Sequence, residues 1–485
     1  MKVRDVRFLC GYAFKITTVA IALCAGLRAR ADEPPERPAL QRDVNANRTK
    51  IVSGPFFTID SGKPFVMPWF RTDLGHDVEY LWYRPKCEPR DDDDVLGCRY
   101  LCDGIDHSYG VGASLGIPVA DLQAGDLQCD FFTGHTTEDG RGGLDAKPLA
   151  ALTLRRIPKP SESGQFTFAF GSCSHQERFG ERQPIWNAIV RDEPDCFFFI
   201  GDNIYLPSDP EVFPKTRDGV VQLYRERYNH QRRTPELQSL LRSTYCFGIW
   251  DDHDYGPNNA DRTWQWKDAA LQVFREYFPG SYGLPDAPGC FQSFSWGDVD
   301  IFLLDDRTFR DPNDAPPPDK TMFGAAQLAW LKKGLAESKA KFRLIFNGNQ
   351  MLSDLHPHES WGTYFRPERD AFLRWLWDQK IDGVVFLAGD RHFAELIHKK
   401  DPKGVGPDLW ELTSSPLANE HFKQGGLVSN RERVARYVGG VNYGVIKVDT
   451  TVSRPTLDLI VRDVDGKEVI RQRVELDRRR PAAAK

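Results

Sequence analysis

The chain has no surplus of one charge: 64 Lys and Arg stand against 69 Asp and Glu, interspersed along its length, for a formal net charge of −5. That balance excludes an electrostatic footprint for nucleic acid or a membrane surface, while a local site could still draw a small phosphorylated substrate. There is no internal repeat and no long low-complexity segment, so a globular protein is expected. Of the ten Cys, Cys173, Cys196, Cys246 and Cys290 show no zinc-finger spacing, and no His pair stands in H-E-x-x-H. Ser172 and Ser174 lie outside any G-x-S-x-G, which argues against a serine nucleophile and for turn roles. Apolar runs such as "FFFIGD" have the length of core strands, not of membrane spans.

What the chain does have is core material: 485 residues, 40% of them hydrophobic, with 31 Phe and 12 Trp. That length predicts at least two domains. In residues 1–31, Lys2, Arg4 and Arg7 precede an apolar stretch from Ile16 to Leu27 and the small-x-small triplet Ala29-Arg30-Ala31. This is the pattern of a cleaved signal peptide, without a twin arginine and short for a membrane anchor, and it predicts a secreted or periplasmic protein with no stable membrane insertion after cleavage. An exported chain can keep disulfides, and Cys87, Cys98, Cys102 and Cys129 could pair in any of three ways. Cys196 and Cys246, inside apolar runs, read as packing thiols.

After a Pro- and Glu-rich linker at 32–47, residues 48–165 read as short β-like runs broken by turns, which predicts a small all-β, immunoglobulin-like sandwich. The acidic run at 90–94 lacks the spacing of a calcium loop and reads as solvated. From 166 to 478 the pattern changes to apolar strands that each open into a polar loop and then a helical stretch. This predicts a layered α/β domain. A hairpin at Gly297-Asp298 would make its sheet mixed, and the tail after about 440, turning at Asp465-Gly466, is expected to complete it.

The ends of these strands carry the chemistry. Cys173 follows the first; Asp202 and Tyr205 the second; Asp251, Asp252, His253 and Asp254 the third; Asn349 a later one; Asp390 and His392 the last. A lone Asp after a strand is more often a cap, and a lone His more often an ordinary hydrogen-bonding group. Many such ends converging are different, because crowded carboxylates require cations, and a mix of Asp, Asn and His suits two or more metal ions. A thiolate and a phenolate fit ferric iron better than zinc alone.

In this order, "FAFGSCS", "GDNIY", "WDDHDYGPNN" and "GDRHF" resemble the motifs of the calcineurin-like metallophosphoesterase superfamily, and more narrowly those of its PhoD-like (alkaline phosphatase D) branch. "LDDRTFR", "NGNQM", "ESWGTY" and "ELTSSPL" resemble that branch too. The resemblance implies a mixed, metallophosphoesterase-type β-sandwich flanked by helices, and a hydrolase acting on phosphate mono- or diesters through metal-activated water. It also implies that Cys173, Asp202, Tyr205 and His392 hold Fe3+, with Asp202 bridging to Ca2+ held by Asp390 and by Asn258 or Asn259; Asp252 is a further candidate, and other divalent metals are possible. His253 and Arg391 would contact the phosphate as catalytic groups, and Asn203, Asn349 and Trp361 would bind substrate. His356 and His358 would belong to a loop over the site, and "RERYNHQRR" reads as a solvated basic helix face. The alternatives are a phospholipase C-type phosphodiesterase, or a non-catalytic exoprotein that binds a partner through its β domain. Oligomeric state is not legible.

Overall fold

The computed structural model describes residues 51–59, 65–72, 80–85, 96–100, 117–136, 142–144 and 150–476, less 180–181, 281, 317–319, 354–358 and 422–429. The signal segment, the linker, the acidic run at 90–94, Cys87, Cys102, His356 and His358 lie outside the described residues, and with them the expected cysteine pairing.

Among the described residues the strands form three sheets. In the nine-stranded sheet the spatial order is Glu468–Glu475, Thr456–Asp463, Asn442–Asp449, Gln165–Gly171, Cys196–Ile200, Tyr245–Ile249, Ile51–Ile59, Phe65–Thr72 and Ile117–Pro118. The seven-stranded sheet runs Gln292–Trp296, Val299–Leu303, Phe342–Asn347, Val384–Ala388, Leu409–Thr413, Ala394–Lys399 and Arg433–Tyr437. Both are mixed: each has a parallel centre, and antiparallel strands flank it. The tail completes the larger sheet, as its sequence suggests, by pairing Asn442–Asp449 against Gln165–Gly171.

Alternation along the strands explains how these sheets stack. In Cys196–Ile200, Phe197 and Phe199 meet Trp186 of the Ile185–Arg191 helix, whereas Phe198 points the other way and stacks on Phe346 of the seven-stranded sheet at 4.2 Å. Within Phe342–Asn347, Leu344 and Phe346 share that inner core, while Ile345 packs outward with Leu331, Leu335 and Phe372 of the Gly324–Glu337 and Arg366–Asp378 helices. A strand buried on both faces needs apolar side chains at every position, which is why these runs are continuous rather than alternating in polarity. The result is helix, sheet, sheet, helix.

Strands within 48–165 are shared between two sheets rather than closing one sandwich of their own. Ile51–Ile59 pairs in parallel with Tyr245–Ile249 and extends the large sheet, and Phe65–Thr72 and Ile117–Pro118 follow it. The rest form a five-stranded antiparallel sheet. No helix among the described residues is long and apolar enough to cross a membrane.

Candidate metal centre

The two parallel centres deliver their C-terminal ends to one place. Gln165–Gly171 leads to Cys173, Cys196–Ile200 to Asp202 and Tyr205, Tyr245–Ile249 to Asp252 and His253, and Val384–Ala388 to Asp390 and His392. To turn into the site immediately, the backbone enters the left-handed region at Cys173 (φ +59°), Asp202 (φ +50°), Asp390 (φ +66°) and His392 (φ +55°). Such non-glycine residues cost on the order of 1–3 kcal/mol each and cluster where function requires them. Just before Asp202, Gly201 sits at φ +97°, where an added Cβ would lie 2.5 Å from Asp251 Cβ, so only glycine fits.

Ligand atoms of Cys173, Asp202 and His392 lie within 4.8 Å of one another, as do those of Asp202, Asp252 and His253. Asp202 is thus shared by two groups. Tyr205 Oη is 3.0 Å from Asp202 Oδ2 and 3.4 Å from His392 Nε2, and Cys173 Sγ is 3.5 Å from Asp202 Oδ2. Nδ1 of His392 meets the Glu420 carbonyl at 2.6 Å, which calls for an N–H there and leaves the Nε2 lone pair facing the cluster. Ser172 Oγ accepts from Asp390 N–H at 3.1 Å, and the Ser415 hydroxyl accepts from His392 N–H at 2.6 Å, which fixes both turns. The Asp252 carboxylate accepts from His253 N–H at 2.9 Å and Asn259 N–H at 2.7 Å.

These residues fit cations on the chemistry of their own side chains. Burial pushes the Asp202 carboxyl well up, and Asp252, Asp254 and Asp390 add to it. Burial, followed by Asp202 and Asp390, raises the Cys173 thiol, and burial with Asp202 and Cys173 raises the Tyr205 phenol. Crowded acids of this kind become charged together only when cations replace their protons. Burial lowers His392, favouring the neutral imidazole a metal requires. Asp252 differs: burial opposes its ionisation, but His253, Arg307 and the Asn259 N–H hold it at about 2.

A third acid group, Asp251, Asp252 and Glu359, already has its cation in the protein. Arg307 donates from Nε to Asp251 at 2.6 Å and from Nη1 and Nη2 to Glu359 at 3.1 and 2.6 Å, and all three side chains are buried. Asn349 Nδ2 adds bonds to Asp251 at 3.1 and 2.8 Å. Arg310 reaches Glu359 at 3.3 Å.

The cluster opens into a cavity of about 920 Å³ whose wall includes Asp202, Tyr205, Asp252, Asp390 and His392, with His253, Asn258, Asn259 and Arg391 beside them. Cys173 is fully buried against Asp202 at its base. Three residues expected to contact substrate, Asn203, Asn349 and Trp361, are buried beside the cavity rather than on its wall. Asn203 donates inward to the Ile249 carbonyl at 2.8 Å and to Asp254 at 3.3 Å; Asn349 braces Asp251; and Trp361 sits in the outer core with its Nε1–H on Glu368 at 2.8 Å. None of them is on the cavity wall among the described residues. The basic helix face is corrected as well: in the Arg217–Arg232 helix, Arg225 is buried against Glu276, Arg232 lies over Phe199 and Phe278, and Arg227 joins the cavity wall paired with Glu177.

Sequence reading missed His175, Glu177, Arg178 and Glu420 on the cavity wall. Only the position of His175, two residues past Cys173, hinted at it. Asp254, which the sequence placed among the cation-holding strand ends, instead accepts from the Asn203, Ile204 and Asp251 N–H groups at 2.9, 3.2 and 3.1 Å and so shapes the Asp202 turn. Burial pushes this carboxyl up to about 7.

The family model described as PhoD-like phosphatase matches residues 168–456. A solved structure described as the structure of PhoD superposes with a TM-score of 0.64 at 17% identity, covering 88% of this chain and 89% of its own. A purple acid phosphatase, PPD1, from seeds of yellow lupin (Lupinus luteus), superposes with a TM-score of 0.60 at 12% identity, covering 88% of this chain and 74% of its own. No curated protein matches the chain in sequence.

Proposed function

Because the chain belongs to the PhoD-like phosphatase family and is a phosphatase hydrolase, we propose that it is an exported, metal-dependent enzyme that hydrolyses small organic phosphate mono- or diesters with water. The observation that carries this is the pair of ligand groups that share Asp202, Cys173 with His392 and Asp252 with His253, set at a cavity whose wall also holds Tyr205 and Asp390. Cys173, Asp202, Tyr205 and His392 would hold ferric iron; Asp202, Asp252, Asp390 and Asn258 or Asn259 would hold calcium. When bound, such a pair neutralises phosphate oxygens and makes hydroxide accessible near neutral or alkaline pH.

The chain's own groups supply orientation and proton handling. His253 has a fixed ring, stacked on Tyr205 with centroids 4.4 Å apart, and its buried Nδ1 has no partner among the described residues. The ring also stands on the cavity wall, where its accessible edge would face a leaving-group oxygen, which makes His253 the candidate proton donor. Arg391, held 3.2 Å from Asp390, offers a guanidinium for charge that develops on the phosphoryl oxygens. Export by residues 1–31 to the periplasm or medium, a linker at 32–47, a β-rich segment at 48–165 that partly joins the large sheet, and a catalytic region at 166–478 complete the proposal, supported by the composition shifts at those boundaries.

Metal analysis of the mature protein and of Cys173→Ala, with rates on a phosphomonoester and a phosphodiester at alkaline pH, tests this reading. The expected result is iron with calcium in the wild type, lost together with activity in the variant. A wild type that is inactive on both esters even after metals are added back would overturn it.

A further inference from the structure

One end of the cavity is built from groups that no ligand role yet uses. His175 stacks on the face of Tyr205 opposite His253, with centroids 4.6 Å apart and planes 23° apart, so Tyr205 lies between two imidazoles. Glu177 N–H donates to His175 Nδ1 at 3.2 Å, which puts the imidazole proton on Nε2. Nε2 has no acceptor among the described residues, and the side chain is on the cavity wall. The His175 backbone is fixed too, since its N–H donates to the Ala418 carbonyl at 2.8 Å. Around it stand two ion pairs, Glu177 with Arg227 and Arg178 with Glu420, which link three separate segments of the chain across this end of the cavity.

The chemistry of this end differs from that of the metal cluster. Each carboxylate already has its guanidinium, so the wall is polar but internally neutralised. It offers no unmatched charge for a second phosphate, and Leu206 and Pro207 are the apolar side chains on the wall among the described residues, too few to receive an acyl chain. What it offers is the His175 Nε2–H, held in direction by the ring stacking and the backbone, among polar neighbours. We infer that His175 is a specificity-determining residue, whose Nε2–H donates to an oxygen of a hydroxyl-bearing alcohol, such as a sugar, esterified to the phosphate.

The inference rests on the phosphoesterase reading, and its test separates the two. Kinetics would be measured on glucose 6-phosphate and on 4-nitrophenyl phosphate, which lacks hydroxyls beyond the ester oxygen. The metal-loaded wild type, His175→Phe and His175→Gln would be compared, with metal content determined for each. Phe keeps a ring on Tyr205 without the donor, and Gln carries an amide N–H near the Nε2 position. The expected result is a KM for the sugar ester raised about tenfold in His175→Phe, with kcat, metal content and the aryl ester unaffected, and recovery in His175→Gln. Equal losses on both esters, or no loss on the sugar ester, would overturn the inference while leaving the phosphoesterase reading intact. A wild type inactive on both esters would instead remove the reading beneath it.

Discussion

Asp251 and Glu359 on one side, and Asp202, Cys173 and Tyr205 on the other, form two acid clusters that meet at Asp252 and are neutralised by different means. On the Asp251 side every charged oxygen meets a donor of the protein: Arg307, Arg310 and Asn349 surround Asp251 and Glu359 in a fully buried network. On the other side, Asp202, Cys173 and Tyr205 face one another, and burial with mutual repulsion raises all three. One region carries its own cations and serves as scaffold. The other is built so that cations must come from outside, which is what distinguishes a metal centre from a buried ion-pair network of similar composition.

The sharpest way to break that comparison is to remove the shared ligand. Asp202→Asn is expected to lose bound metal and to drop hydrolysis to background, while its stability in chelator equals or exceeds that of the wild type, because one crowded acid is gone. Metal analysis alongside thermal melts checks this, and a variant that keeps both metals would refute the bridging role.

In the scaffold cluster the order of effects reverses. Arg307→Met leaves Asp251 and Glu359 buried without their guanidinium, with an expected loss of about 3–5 kcal/mol in denaturant unfolding. Arg307→Lys should lose less, since it keeps the charge but not the fork that spans both acids. Equal stability of all three proteins would mean that the network is not structural.

A smaller effect comes from pH. Burial lifts Asp254 and Glu411 to about 7, above an ordinary carboxyl near 4. Between those values the folded chain holds protons that the unfolded chain has released, so stability falls as pH rises from about 4 to about 7. Metal-free protein is expected to show this slope, and more steeply than metal-loaded protein, in which cations stand in for protons in the cluster. Melts of both forms across that range measure it, and a slope of opposite sign in the chelated form would contradict the assigned cause.

The layered α/β fold and the strand ends that carry the candidate site were legible for a physical reason. Parallel strands buried on both faces read as unbroken apolar runs, and a run that stops abruptly at "GD" or "DDHD" marks the strand end where polar groups can gather. The strand ends so marked bring Asp202, Tyr205, Asp390 and His392 to the wall of one cavity, with Cys173 buried against Asp202 beneath it. Reading failed where a polar residue faces inward. Asn349 and Asn203 follow strands just as Asp202 does, but their amides turn into the protein to hold Asp251 and Asp254. Trp361 follows Glu359 by two residues and is core, while Glu359 itself reaches the cavity wall. Arg227 sits on a helix that looked solvated, because the chain segment carrying Glu177 is some 50 residues away.

By itself, then, the sequence determined which strands are buried on both faces, which residues stand at their ends, and which of these offer hard or soft donor atoms, since each depends on local pattern and side-chain chemistry. The tertiary structure alone decided which acids meet the Arg307 guanidinium and which crowd together at the cavity, and which histidine is set beside Tyr205 with its Nε2–H unclaimed. Those outcomes depend on directions and distances between segments remote in the chain, and no local pattern encodes them.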